Sequence, residues 1–143
     1  MDEQTTYLLK ECTSGCKRGI ESINLIMEYV EDEKLKELLE AYKEKHKEIE
    51  NEAAVMLAKA GKEEKEPGTL STVMARFTTE MKLMVKSDAH MIAKLMLDGC
   101  NMGIQSICKV LNENPEADKE AIRIAKKIIT VEENFVKEME KFL

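Results

Sequence analysis

Apolar residues recur at three- and four-residue steps along most of this chain, the spacing that lines one face of an α-helix. Leu8, Leu9, Cys12, Cys16, Ile20, Ile23, Met27 and Val30 predict a first helix over about 4–30. Leu35, Leu38, Leu39, Tyr42, Ile49, Ala53, Met56 and Leu57 predict a second over about 33–60. Opposite charges at helical spacing, Glu40 with Lys43 and Glu44 with Lys47, mark its solvent face. Thr5 or Thr6 is the expected cap of the first helix, and Gly61 the stop of the second. The stretch KEEKEPG at 62–68 reads as a polar linker. A short crossover helix is expected at 69–85, a further helix at 88–112 after Ser87-Asp88, and a last one at about 116–142 opened by Pro115. The stripe of that last helix is Ala121, Ile124, Ala125, Ile128, Phe135, Met139 and Phe142.

An internal repeat organises these elements. GCKRGIESI at 15–23 and GCNMGIQSI at 99–107 agree at six of nine positions, at an offset of 84. Each copy is followed by an acidic turn and a second amphipathic stretch, so two related helical hairpins are expected. Joined by a long crossover, they make an all-α, ferritin-like four-helix bundle with an extra short helix. The whole of 1–143 reads as one domain, with repeat halves at about 4–60 and 88–142 and a crossover at 61–87. A glycine inside a helix costs about 1 kcal/mol relative to alanine. The pairs Gly15/Gly19 and Gly99/Gly103 therefore need a compensating role, and close approach of two helices is the expected one. Neither pair follows a predicted strand, which excludes a phosphate-binding loop.

Composition narrows the function classes. The 143 residues hold 22 Lys and Arg against 28 Asp and Glu, a net charge of −6, which argues against binding nucleic acid or anionic lipid. With no apolar run of transmembrane length and no basic-then-apolar leader, a cytoplasmic protein without a membrane role is expected. Cys12, Cys16, Cys100 and Cys108 are then reduced thiols, and no Cys-x-x-Cys pair points to zinc or redox chemistry. Residues 69–112 contain eight charged side chains and six of the ten Met. Leu70, Val73, Met74, Phe77, Met81, Met84 and Val85 give the crossover helix more apolar surface than a peripheral helix needs. A homodimer formed through this region is the expected use of it.

Three segments carry a family resemblance: VEDEKLKELLEAYKEKHKEIENEA at 30–53, AGKEEKEPGTLSTVMARF at 60–77 and LDGCNMGIQSICKVLNE at 97–113. Over about residues 6–140 the chain resembles a bacterial ferritin-like family classed as a domain of unknown function. Gly61, the acidic spacer Glu63–Glu66, Gly68, Ser71 and Arg76 match its most specific stretch. The resemblance implies a four-helix ferritin-like fold with a crossover helix and no established reaction. It also implies a Gly-Glu pair in the fourth helix, where this chain has Gly103-Ile104.

Metal chemistry is the alternative to a packing and self-association role. A ferritin-like diiron centre needs Glu-x-x-His on two helices. Lys43 precedes His46 by three, Ser87 precedes His90 by three, and the last helix has no His, so that motif is absent. Aligning the second and last predicted helices at an offset of 86 sets His46 against Glu132, each between apolar neighbours. A degenerate site for Fe, Mn or Zn would draw on His46, Glu132, Glu21 and Asp88. A Cu(I) site would draw on Cys12, Cys16 and Cys100, since thiolates suit that ion. No local arrangement places a nucleophile beside a base, and the expectation is a non-enzymatic protein.

Overall fold

The computed structural model describes residues 1–67, 72–83 and 88–143. Among them run five helices and no strand: α1 (Glu3–Met27), α2 (Glu33–Lys59), α3 (Thr72–Lys82), α4 (Ala89–Glu113) and α5 (Lys119–Glu140). The arrangement is an all-α bundle of two hairpins, α1–α2 and α4–α5, with α3 in the crossover, consistent with a ferritin-like bundle.

Aspartates start the helices. Asp2 accepts from Thr5 N at 2.7 Å, Asp32 from Leu35 N at 2.9 Å and Asp88 from Met91 N at 3.1 Å, each satisfying an amide that the first turn leaves unpaired. The cap of α1 is thus Asp2, not Thr5 or Thr6. Thr5 is buried and has a different task. Its hydroxyl donates to Asp2 and accepts from the Asp118 amide at 2.8 Å, tying the start of α1 to the start of α5. Gly61 ends α2 as expected: at φ +69° it lets Lys62 N reach back to Leu57 O at 2.9 Å.

Three boundaries differ from the periodicity. α1 stops at Met27, and Val30 is buried from the turn that follows. α5 begins at Lys119, three residues after the expected start. Asn114 donates to Val110 O at 2.8 Å and accepts from Ala117 N at 3.2 Å, so Pro115 sits in a closed turn ahead of the helix. The described crossover helix spans Thr72–Lys82, shorter than 69–85. Its Phe77 and Met81 are buried; the side chains of Leu70, Val73, Met74, Met84 and Val85, and the expected cap Ser87, lie outside the described residues.

Two apolar clusters fill the bundle. One joins Leu8, Leu9, Cys12 and Cys16 to Ile49, Ala53 and Leu57, and to Ile107, Val110, Ala121, Ile124, Ala125 and Ile128. The other joins Ile23, Ile26, Leu35, Leu39 and Tyr42 to Phe77, Met81, Ile92, Met96, Cys100, Phe135 and Met139. The start of α1 shares a cluster with the end of α4, so these two repeat helices run antiparallel. Between the two clusters lies a buried polar layer.

A buried proton-sharing pair beneath a glycine-lined cleft

His46 on α2 and Glu132 on α5 meet at the middle of the bundle, 1% and 5% exposed. Both fall on apolar stripes of their helices, which is why folding carries them inward. His46 Nδ1 lies 2.9 Å from the Tyr42 carbonyl. A carbonyl only accepts, so Nδ1 carries a hydrogen and the ring is held with Nε2 facing Glu132. Nε2 and Glu132 Oε1 are 2.6 Å apart, a contact that requires a proton between them. The pair is either imidazolium with carboxylate or imidazole with carboxylic acid. Its net charge is zero in both forms, which makes its burial tolerable.

Tyr42 completes the group. Its hydroxyl donates to the Glu132 carboxyl group, 2.6 Å from Oε2 and 2.7 Å from Oε1. That hydroxyl hydrogen is committed, so the Cys100 thiol, 3.6 Å away, donates to the Tyr42 oxygen. The Tyr42 ring lies 4.1 Å from the His46 ring and 4.0 Å from Phe135, centroid to centroid. Burial pushes the Tyr42 hydroxyl well above its ordinary range, and Glu132 adds to the effect. Burial likewise pushes the Cys12 thiol up to about 12, and raises Cys16 and Cys100 as well. None of these groups offers an anionic nucleophile near neutral pH.

The repeat glycines frame this group. A Cβ on Gly19 would stand 3.0 Å from His46 Cδ2 and 3.3 Å from Nε2. A Cβ on Gly103 would stand 3.7 Å from Glu132 Cδ. The two glycines occupy equivalent places in the repeat, one over each member of the pair. The expected close approach of helices holds at Gly19, where α1 lies directly against His46 of α2. It is not required at the other positions: a Cβ on Gly15 would meet Ile107 at an ordinary 3.8 Å, and one on Gly99 would meet nothing within 4 Å. All four glycines also line a cleft of about 950 Å³ between α1 and α4. Glu132, Tyr42 and Cys100 form its floor, and Phe77, Leu95, Met96, Ile107, Val110 and Ile128 its apolar walls. Lys65 of the linker lines the cleft and pairs with Glu11 on α1, and beside it Lys17 on α1 holds Glu66 at 2.6 Å.

Of the sequence-derived candidates, the structure brings His46 and Glu132 together and leaves Glu21 and Asp88 apart from them. Glu21 is exposed on α1, and Asp88 is occupied in capping α4. Cys12 and Cys16 lie in one apolar cluster and Cys100 in the other. Among the described residues, no three His, Cys, Asp or Glu side chains gather in a group suited to a metal ion. Tyr42 is the member that sequence reasoning missed, having been read as an apolar stripe residue. Its signal was a hydroxyl one helical turn before His46 on the same face. Among the described residues, no helix is long and apolar enough to cross a membrane.

A crystal structure of a DUF305 fragment from Deinococcus radiodurans is similar in fold, with a TM-score of 0.76 and 17% identity over 98% of this chain and 95% of that one. No curated protein matches the chain. A family described as a domain of unknown function, DUF2383, matches residues 4–113. That stretch holds Tyr42, His46 and the four repeat glycines, and Glu132 lies beyond it. Because the match spans most of the sequence, the chain belongs to the DUF2383 family.

Proposed function

We propose that this chain acts as one unit, 1–143, that binds a small molecule in the cleft between α1 and α4 and does no chemistry on it. The observation that carries this reading is the coincidence of all four repeat glycines with the cleft and its buried polar floor. Helix-interior glycine is unfavourable. Gly99 in particular has room for a side chain and holds none. A volume of about 950 Å³ with apolar walls and a few polar groups is characteristic of ligand pockets. The raised Tyr42 and cysteine groups support binding over catalysis.

A neutral polarity-sensitive dye such as Nile red tests it. Wild-type protein should bind one dye per chain saturably. Gly99→Leu, which adds a bulky side chain to the cleft lining, should weaken binding about tenfold or more while melting no lower than wild type. Equal binding by both proteins would overturn the reading.

Self-association through the Met-rich 69–112 region is a second reading. Leu83, 81% exposed, and Met102, 40% exposed at the cleft, supply apolar surface for it. Sedimentation across a hundredfold range of concentration decides: a rising mass supports it, and a constant monomer mass overturns it.

A further inference from the structure

We propose that the ligand of this cleft is a neutral, largely apolar molecule carrying one hydroxyl or amide N–H that donates to Glu132, an inference that rests on the binding reading above. The polarity of the floor carries it. His46 and Glu132 share one proton and sum to zero charge, whichever atom holds it. A cationic ligand head would add a charge to a neutral, buried pair with nothing to balance it. An anionic head would face the Glu132 carboxyl group directly. Both pay a desolvation penalty that a neutral donor avoids.

The free hydrogen-bonding capacity at the floor is that of an acceptor. Glu132 Oε2 receives the Tyr42 hydroxyl at 2.6 Å, and a carboxyl oxygen has lone-pair capacity for a second donor. Gly103 leaves that oxygen facing the cleft: a Cβ there would stand only 3.8 Å from it. The Tyr42 hydroxyl hydrogen is already used on Glu132, so it is not offered to a ligand.

Among the described residues that line the cleft near its mouth, acidic Glu11, Glu80 and Asp98 equal basic Arg18, Lys65 and Lys94 in number. The lining of α1 runs from Glu11 to Ser22, about 16 Å at 1.5 Å per residue, which suits an elongated apolar body.

Calorimetric titration with four probes built on an eight-carbon chain tests the inference: 1-octanol, methyl octyl ether, octylammonium and octanoate, each against wild type and Gly99→Leu. The expected result is that 1-octanol binds wild type about tenfold tighter than each of the other three, the gain of one hydrogen bond to a carboxyl group. Its binding should weaken about tenfold or more in Gly99→Leu. If octylammonium or octanoate binds as tightly as 1-octanol, or the ether equals the alcohol, the cleft still binds but the neutral-donor inference is overturned. If none of the four binds, or Gly99→Leu binds them unchanged, the binding reading itself fails and this inference with it. The wild-type ranking needs no variant at the pair, so it stands apart from any folding defect.

Discussion

Gly19 on α1 and Gly103 on α4 hold equivalent places in the two hairpins, yet they face opposite chemistry. One lies against a base, with His46 Cδ2 only 3.0 Å from where its Cβ would be; the other lies against an acid, with Glu132 Cδ at 3.7 Å. The hairpins share a frame and differ in the group placed at its centre. The first also contributes Tyr42, where the second has Ile128. A doubled hairpin with identical halves would bury two acids or two bases side by side, and like groups cannot both ionise there. Complementary divergence at one position per hairpin turns a like pair into a proton-sharing one. The frame explains the position of the pair, and the difference between halves explains why burying it is tolerable.

The sharpest way to break this comparison is to exchange the two groups. His46→Glu alone buries two carboxyl groups together, and Glu132→His alone buries two imidazoles. Each should cost about 3–5 kcal/mol in urea unfolding, as for a buried pair that loses one partner. The double exchange restores one acid and one base and should be more stable than either single variant. A double variant no better than the worse single one would mean that the two places are not equivalent.

The thiols extend the comparison to pH. Burial, with Glu11 adding, raises Cys12 from an ordinary 9.0 to about 12. Between those values the folded chain keeps a proton that the unfolded chain has lost. Stability attributable to Cys12 is therefore intact below pH 9 and falls as pH rises toward 12, by roughly 1.4 kcal/mol per pH unit. The repeat places Met96, which does not titrate, at the equivalent position of the second hairpin. Cys12→Ala should flatten the alkaline slope by one proton, whatever it costs at pH 7. An unchanged slope in urea unfolding at pH 9, 10 and 11 would refute the assignment.

Single alanines at the two central glycines distinguish the halves more finely. His46 is fixed at both ring nitrogens and cannot yield the few tenths of an ångström that Gly19→Ala demands. That variant should lose about 1–2 kcal/mol, strain at the pair exceeding the gain in helix propensity. Gly103→Ala meets Glu132 at ordinary contact distance and should be neutral or stabilising. Thermal melting with equal losses at both would remove the asymmetry. The smallest effect belongs to Gly99→Ala, which meets nothing and should gain about 0.5–1 kcal/mol from helix propensity alone.

Much of this architecture is legible in the residues. Helical periodicity and the 15–23/99–107 repeat predict the two hairpins and the order of their elements. An offset of 86 sets His46 against Glu132, and the structure joins them at 2.6 Å. The boundaries were less legible, because they depend on tertiary hydrogen bonds such as Asp118 N to Thr5. The cleft was not legible. A helix-interior glycine signals only that a side chain is unwelcome, and contact with another helix and open space give the same signal. Tyr42 was hidden by its own ring, which packs as an apolar residue while its hydroxyl serves Glu132. Glu21 and Asp88 share helices with the right elements but face water or cap an end, and a stripe alone does not separate those roles.

The most direct test of the central claim is methyl NMR on protein labelled at methionine, titrated with 1-octanol. Met96 and Met102 line the cleft, whereas Met139 and Met56 are not among its lining residues. The account predicts saturable shifts at Met96 and Met102 with Met139 and Met56 unmoved. Shifts absent from Met96 and Met102, or spread equally over all four, would contradict it.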